Sequence, residues 1–502
     1  MSFEPEFEKI ILCEKKGVLE QKEKVDCKTQ ISTESIKKII FVTAHPYVSK
    51  VESIDGGVEY AGKVNFFVCY EDQQEQIRKC ECASEYSGVI KDGSVMPSSK
   101  TKAIVTVQKT EANGEGINLS LTANLSVQVE IREKAEKSFV SGGKGFYCDK
   151  KEVEILKSLG ERTIVYPFEE EFELGFAVKD VLSQGASCII TACQCGVGTI
   201  IVDGEVYLSA ILLQGDDGKD IIKETRALPF RAEIECEDAM PTNTAVAYAT
   251  QKSFKTDITV DEEQKKSVVT VNLLINLSGE AYSNEKVGII DDAFSINEEI
   301  ELITEKSINR EVKEQETVIE RGSSRASIEE LPVGAGLIAT INERAETVSQ
   351  TVTEKGIEIT GVVSCTAIMK DGEGKTFSRK VETPFTATLS AKNCLDCVET
   401  NVSVKSLEAK IISLDSAELS YELICSINQV KNCEVNLVKE IKSICEKKPC
   451  DSAISVYIPL EGETLFPLAK RLNVNPSELV TTNKELEFPL TGEERIVIYR
   501  QK

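Results

Sequence analysis

The sequence predicts a mainly β protein: three tandem antiparallel β-sandwich or barrel-like domains, followed by a small β-α-α-β unit. Three observations lead there. Strand-like segments recur three times at a spacing of about 150 residues. Apolar residues alternate within them, as in "VVTVNLLINL" at 268–277, where Thr270, Asn272 and Asn276 fall mostly on the face opposite the apolar one. From Ile454 onward the pattern changes to that of short capped helices between two strands.

The repeats set the domain organisation. "GKVNFFVCYED" (62–72), "GEVYLSAILLQGDDGK" (204–219) and "GVVSCTAIMKDGEGK" (361–375) each open on a glycine, alternate apolar residues, and close in an acidic turn. Gly62, Gly204 and Gly361 are read as the first residues of equivalent strands. "ALPFRAEIE" (227–235) and "ETPFTATLS" (382–390) then begin a returning strand with a Pro-Phe pair, while "SEYSGVIKD" (84–92) takes that place without the proline. Segments at 103–130, 248–282 and 401–431 read as two long strands around a polar turn. A period this long means separate domains, not a solenoid. Boundaries fall at 5–147, 148–290 and 291–440, with the last unit at 454–500. The Glu-rich stretches at 161–173 and 305–320 read as solvated connectors or exposed first strands. The longer run 305–330 reads as strand followed by loop, because Gly322 and three serines interrupt it.

Composition bounds the function. The 502 residues exceed one core, so three or four domains are expected. Trp is absent and aromatics make up 6%, so the cores must rest on Val, Ile, Leu and Ala, a diet that strands tolerate well. A net charge of −24 argues against nucleic acid, which needs clustered Lys and Arg, and against an anionic membrane surface. "MSFEPEFEKIILCEKK" has no basic segment followed by an apolar core, and the most apolar stretch, Ser187–Val202, is too short for a bilayer. That stretch reads as two buried strands, and the chain is expected to stay in a cytosol.

Seventeen cysteines in such a setting are expected as reduced thiols, with Cys69, Cys365 and Cys425 acting as small core residues. The closer pairs are Cys80/Cys82, Cys193/Cys195 and Cys394/Cys397. Only the last has zinc spacing, and no second such pair follows, so no metal is expected; later oxidative crosslinking ranks above zinc.

No enzyme is expected either. The one histidine, His45, precedes Pro46 in extended backbone and reads as structural. No GxSxG turn accompanies it, "SGGKGF" at 141–146 lacks Walker spacing, and "GDDGK" and "DGEGK" are hairpin punctuation. Catalytic residues and cofactors are therefore none.

In the last unit, "ISVYIPL" gives a short strand and Gly462 a turn. Thr464 caps a helix whose apolar stripe is Leu465, Leu468, Ala469 and Leu472, with Pro467 in the first turn. Asn475 caps a second helix through Pro476 and Glu478, with Leu479 and Val480 turned toward the first. Arg495–Tyr499 closes the sheet.

This order, with Gly462, Thr464, Leu465, Phe466, Leu468, Ala469, Leu479, Asn483, Pro489, Leu490, Gly492, Ile496 and Ile498 in matching positions, resembles the LysM domain. Glu463 and Glu493 replace that family's usual Asp and Gln. The resemblance implies a ligand groove between 462–466 and 483–489, made of Gly462, Glu463, Thr464, Leu465, Phe466, Asn483, Leu486 and Pro489. It leaves Glu463 exposed, so that charge reversal there weakens binding without unfolding the chain. Phe466 either anchors a partner at the groove or fills the core. The three β units are similar to SPOCS domains, and the whole arrangement resembles the SipL-like spore morphogenesis proteins. That likeness implies a non-enzymatic scaffold of the mother-cell cytosol, recruited to the forespore surface. Its LysM domain would bind a coat-basement ATPase of the SpoIVA type, alongside other coat proteins. The alternative is a wall protein that binds peptidoglycan or a chitin-like glycan.

Overall fold

The computed structural model describes residues 3–31, 35–215, 220–261, 265–353, 356–389, 397–448 and 454–499. It is mainly β. The first six strands are β1 (Glu4–Gln30), β2 (Ile36–Ile54), β3 (Gly57–Asp72), β4 (Ile77–Lys91), β5 (Lys100–Glu115) and β6 (Asn118–Lys144). The next six are β7 (Tyr147–Leu174), β8 (Val178–Cys195), β9 (Thr199–Gln214), β10 (Asp220–Glu235), β11 (Thr244–Asp261) and β12 (Lys266–Phe294). The last long ones are β13 (Glu298–Ser327), β14 (Gly336–Thr353), β15 (Gly356–Lys370), β16 (Thr376–Leu389), β17 (Cys397–Ser413) and β18 (Ser416–Glu446).

One topology recurs in each set of six. The first, sixth and fifth strands make one antiparallel sheet (β1-β6-β5, β7-β12-β11, β13-β18-β17), and the middle three make a second (β2-β3-β4, β8-β9-β10, β14-β15-β16). The two sheets of each set enclose a core of aliphatic residues. Val64, Phe66, Leu121 and Val127 stand in the first, Val202, Val206, Val271 and Ile275 in the second, and Ile359, Val363, Leu419 and Leu423 in the third, all fully buried or nearly so. The absence of Trp is met by these interleaved branched side chains, each contributing about 1.5–3 kcal/mol on burial.

The repeat glycines lie inside strands, a correction to their reading as strand starts. Counted from Gly57, Thr199 and Gly356, the residues Gly62, Gly204 and Gly361 are each sixth in the central strand of the second sheet. Opposite them on the edge strand stand Tyr86, Phe230 and Phe385. A Cβ on Gly361 would lie 2.2 Å from the Glu346 carbonyl oxygen and 2.5 Å from the Phe385 ring; at Gly204 the Phe230 ring comes within 2.4 Å, and at Gly62 the Tyr86 hydroxyl within 2.3 Å. The glycine is the space into which the cross-strand ring folds. The Pro-Phe pairs likewise lie within β10 and β16, not at their starts. Both are edge strands, where a missing N–H breaks no ladder.

The Glu-rich run also differs from its reading. β13 continues through Gly322 and the serines to Ser327, paired throughout with β18. The ladder with β18 supplies the order of this stretch, and Glu305 within it bridges Lys137 of β6 and Lys439 of β18. The acidic stretch at 161–173 lies in β7, and Ser187–Val202 covers the second half of β8, a turn, and the start of β9.

The three sets share cores of their own. Cys69, Ile211 and Ile368 are each thirteenth in β3, β9 and β15, and all three converge in a cluster with Phe41, Leu182 and Ile341. None of the three is more than 2% exposed. Polar contacts ring this cluster: Thr43 and Ser183 share a hydrogen bond of 2.8 Å, Asn342 donates to the Val42 carbonyl at 3.0 Å, and Ser378 to that of Ile40 at 2.7 Å. At the other end Phe139, Ile289 and Leu437 meet in one cluster, and Val140, Ile290 and Val438 in the next. Equivalent strands of the three sets thus meet in shared clusters.

His45 is buried near this junction, edge-on to Phe67, with its Nε2 lacking a partner. Burial and the Arg344 guanidinium lower its pKa from the usual 6.5 to about 4. The unfolded chain thus takes up a proton between about pH 6.5 and 4 that the folded chain refuses, so stability falls as pH drops through that window. At pH 5.5 the loss relative to pH 7.5 should exceed that of a His45→Leu chain by ~1 kcal/mol, read from urea unfolding at both pH values. Equal losses would contradict the buried neutral imidazole.

Candidate functional site

The chain ends in β19 (Ile454–Tyr457), α1 (Leu465–Leu472), α2 (Pro476–Thr482) and β20 (Ile496–Tyr499), with β19 and β20 antiparallel. Leu468, Ala469, Leu479, Leu490, Ile496 and Ile498 form its core. Thr464 is the N-cap residue of α1, but its side chain makes no capping bond. Asn475 caps α2 by accepting from the Ser477 N–H at 2.9 Å. Leu479 turns inward at 3% exposure, whereas Val480, expected beside it, is 40% exposed.

The first of the two segments expected to flank a groove lies beside Leu490, the residue that follows the second. Gly462, at φ +78°, donates its N–H to the Leu490 carbonyl at 2.7 Å, and Leu490 returns a bond to the Glu463 carbonyl at 3.0 Å. Within this frame the polar residues are already engaged. The Glu463 side chain is only 8% exposed, pairs with Arg471, and accepts from the Leu460 N–H. That corrects its expected exposure, and a lysine there would break the turn. Asn483 donates to the Leu479 and Val497 carbonyls and accepts from the Val497 N–H, tying the end of α2 to β20. Thr464 and Pro489 are exposed; Leu465 and Leu486 are half-buried against the core.

Phe466 faces the chain itself. Its ring stands edge-on to Phe294 of β12 at 5.4 Å, and Phe294 stacks in turn with Tyr147 at 5.4 Å. Around this contact Lys470 pairs with Asp292 at 2.6 Å, Asn473 donates to the Ile296 carbonyl, and Lys447 bridges Ser295 and Asn473. The C-terminal unit is thus docked on the second strand set through the α1 side.

Sequence reasoning missed the outer face of the small sheet. Ile454, Val456, Ile458 and Leu460 alternate with Ser455, Tyr457 and Pro459, and Tyr499 lies opposite Ile454. These five apolar residues are 62–63% exposed. Tyr457 is half-buried inward and Pro459 is buried. The signal was present in "ISVYIPL", which is apolar at both parities; a strand covered on one side only should alternate with polar residues.

Elsewhere, the buried cysteines are unbridged core residues, and burial pushes the Cys365 thiol up to about 12 and that of Cys425 to about 11. The Cys394/Cys397 pair lies outside the described side chains. Among the described residues no three His, Cys, Asp or Glu side chains gather as metal ligands, and no helix is long and apolar enough to cross a membrane. No family model, curated protein or solved structure matches the chain.

Proposed function

We propose that the chain is a non-enzymatic assembly scaffold of the SipL-like kind, with three SPOCS-type β domains and a C-terminal LysM-type unit used as a protein clasp. The observation that carries this reading is the uncovered apolar surface formed by β19, the residues 458–460 that follow it, and β20. Five large apolar side chains there suit a protein surface, since exposed apolar patches serve as docking sites. A glycan would instead need free polar groups in the 462–466/483–489 groove, and Glu463 and Asn483 already spend theirs within the fold. On this reading the partner is the coat-basement ATPase of the SpoIVA type, met in the mother-cell cytosol at the forespore surface.

The experiment compares capture of the full chain on the purified ATPase and on peptidoglycan, beside a chain ending at Lys448. Retention on the ATPase that the shortened chain loses supports the clasp. Saturable retention on peptidoglycan, with none on the ATPase, supports a wall-binding protein instead.

A further inference from the structure

The seam between β1 and β4 carries a pair of thiols that the proposed function does not use. β1 is the edge of one sheet and β4 the edge of the other, so nothing in the ladder joins them. Contacts made by side chains join them instead. Ser84 of β4 donates to the Asp26 carbonyl of β1 at 3.1 Å, Tyr60 of the neighbouring β3 donates to Glu23 beside Gly88, and the Cys27 and Cys82 sulfurs lie 3.4 Å apart. Cys27 is 8% exposed and Cys82 packs inward against the same core, as does Cys80 two residues before it.

We propose that Cys27 and Cys82 are an oxidative crosslinking site, whose disulfide locks the open edge of the first strand set. With oxidised glutathione as the oxidant, one protein thiolate attacks a glutathione sulfur and releases one glutathione thiolate. The second protein sulfur then attacks the mixed disulfide and releases the other. Two protein thiols lose two electrons and two protons, and one glutathione disulfide becomes two glutathiones. Closing so long a loop restricts the unfolded chain, and the pair already sits within reach, so the lock should stabilise the fold. Burial and the hydrogen bond with Cys27 hold the Cys82 thiol well above its ordinary range, which makes the reaction slow beside that of the exposed Cys445.

The test incubates the full chain in glutathione buffer dominated by the disulfide form, then maps peptides without reduction. The expected result is a peptide pair joined through Cys27 and Cys82, formed over hours, with a melting temperature several degrees above the reduced chain. Fragmentation of the joined peptides distinguishes Cys82 from Cys80 in the wild-type chain itself. Cys80→Ser should keep both the link and the rise, and Cys82→Ser should lose both. Glutathione adducts without the link, a link through Cys80, or a link with no rise in melting temperature would each overturn the proposal.

Discussion

A chain carrying Ile368→Asp is expected to lose about 4 kcal/mol of stability, because an uncompensated carboxylate is then buried among apolar neighbours. Ile368 is fully buried, yet it faces away from the sandwich core of its own strand set and toward Cys69, Ile211, Phe41 and Leu182 of the other two. If the three sets hung as separate beads, Ile368 would be a surface residue and the change would cost within about 0.5 kcal/mol. Ile368→Val, which removes one methylene, should cost about 1 kcal/mol in the shared core. The urea midpoints of the two variants distinguish these arrangements.

Gly361→Val is expected to cost about 3 kcal/mol, since its Cβ would collide with the Glu346 carbonyl oxygen and drive the Phe385 ring from the strand. Gly336→Val is the control. It lies in β14 with nothing within 4 Å of an added Cβ, and should stay within about 0.5 kcal/mol of the parent. Similar effects of both substitutions in urea unfolding would mean that the glycine is not the seat of the ring.

Much of this fold was legible because alternation reports half-buried strands, and 268–277 or 401–431 carry it plainly. The capped helices were equally readable, since Asn475, Pro476 and the Leu468–Ala469 pair are local signals. What escaped depends on contacts between distant segments. Gly361 looked like a boundary because glycine usually marks one; only the ring of Phe385, folded over from the next strand, explains it in mid-strand. The end of the Glu-rich β13, from Gly322, looked like a loop because its order comes from pairing with β18. The shared core had left a trace. In "FFVCY" and "AILL" alternation fails and both faces are apolar, which means cover on both sides. At the C-terminal unit the side-chain bonds of the residues expected to line a groove could not be read from type alone. Glu463 is acidic and follows a turn, which reads as exposed until Arg471 is seen to close over it.

The proposed clasp is tested most directly on its exposed face, because truncation at Lys448 would also uncover Tyr147 and Phe294. Val456→Asp with Ile458→Asp places two charges where both side chains are 63% exposed, so the melting temperature of the full chain should hold. Affinity for the coat-basement ATPase, measured by titration calorimetry, should fall at least ~30-fold, the effect of losing an interface hot spot. Unchanged affinity in this double variant, with loss instead in Thr464→Lys at the groove, would contradict the account.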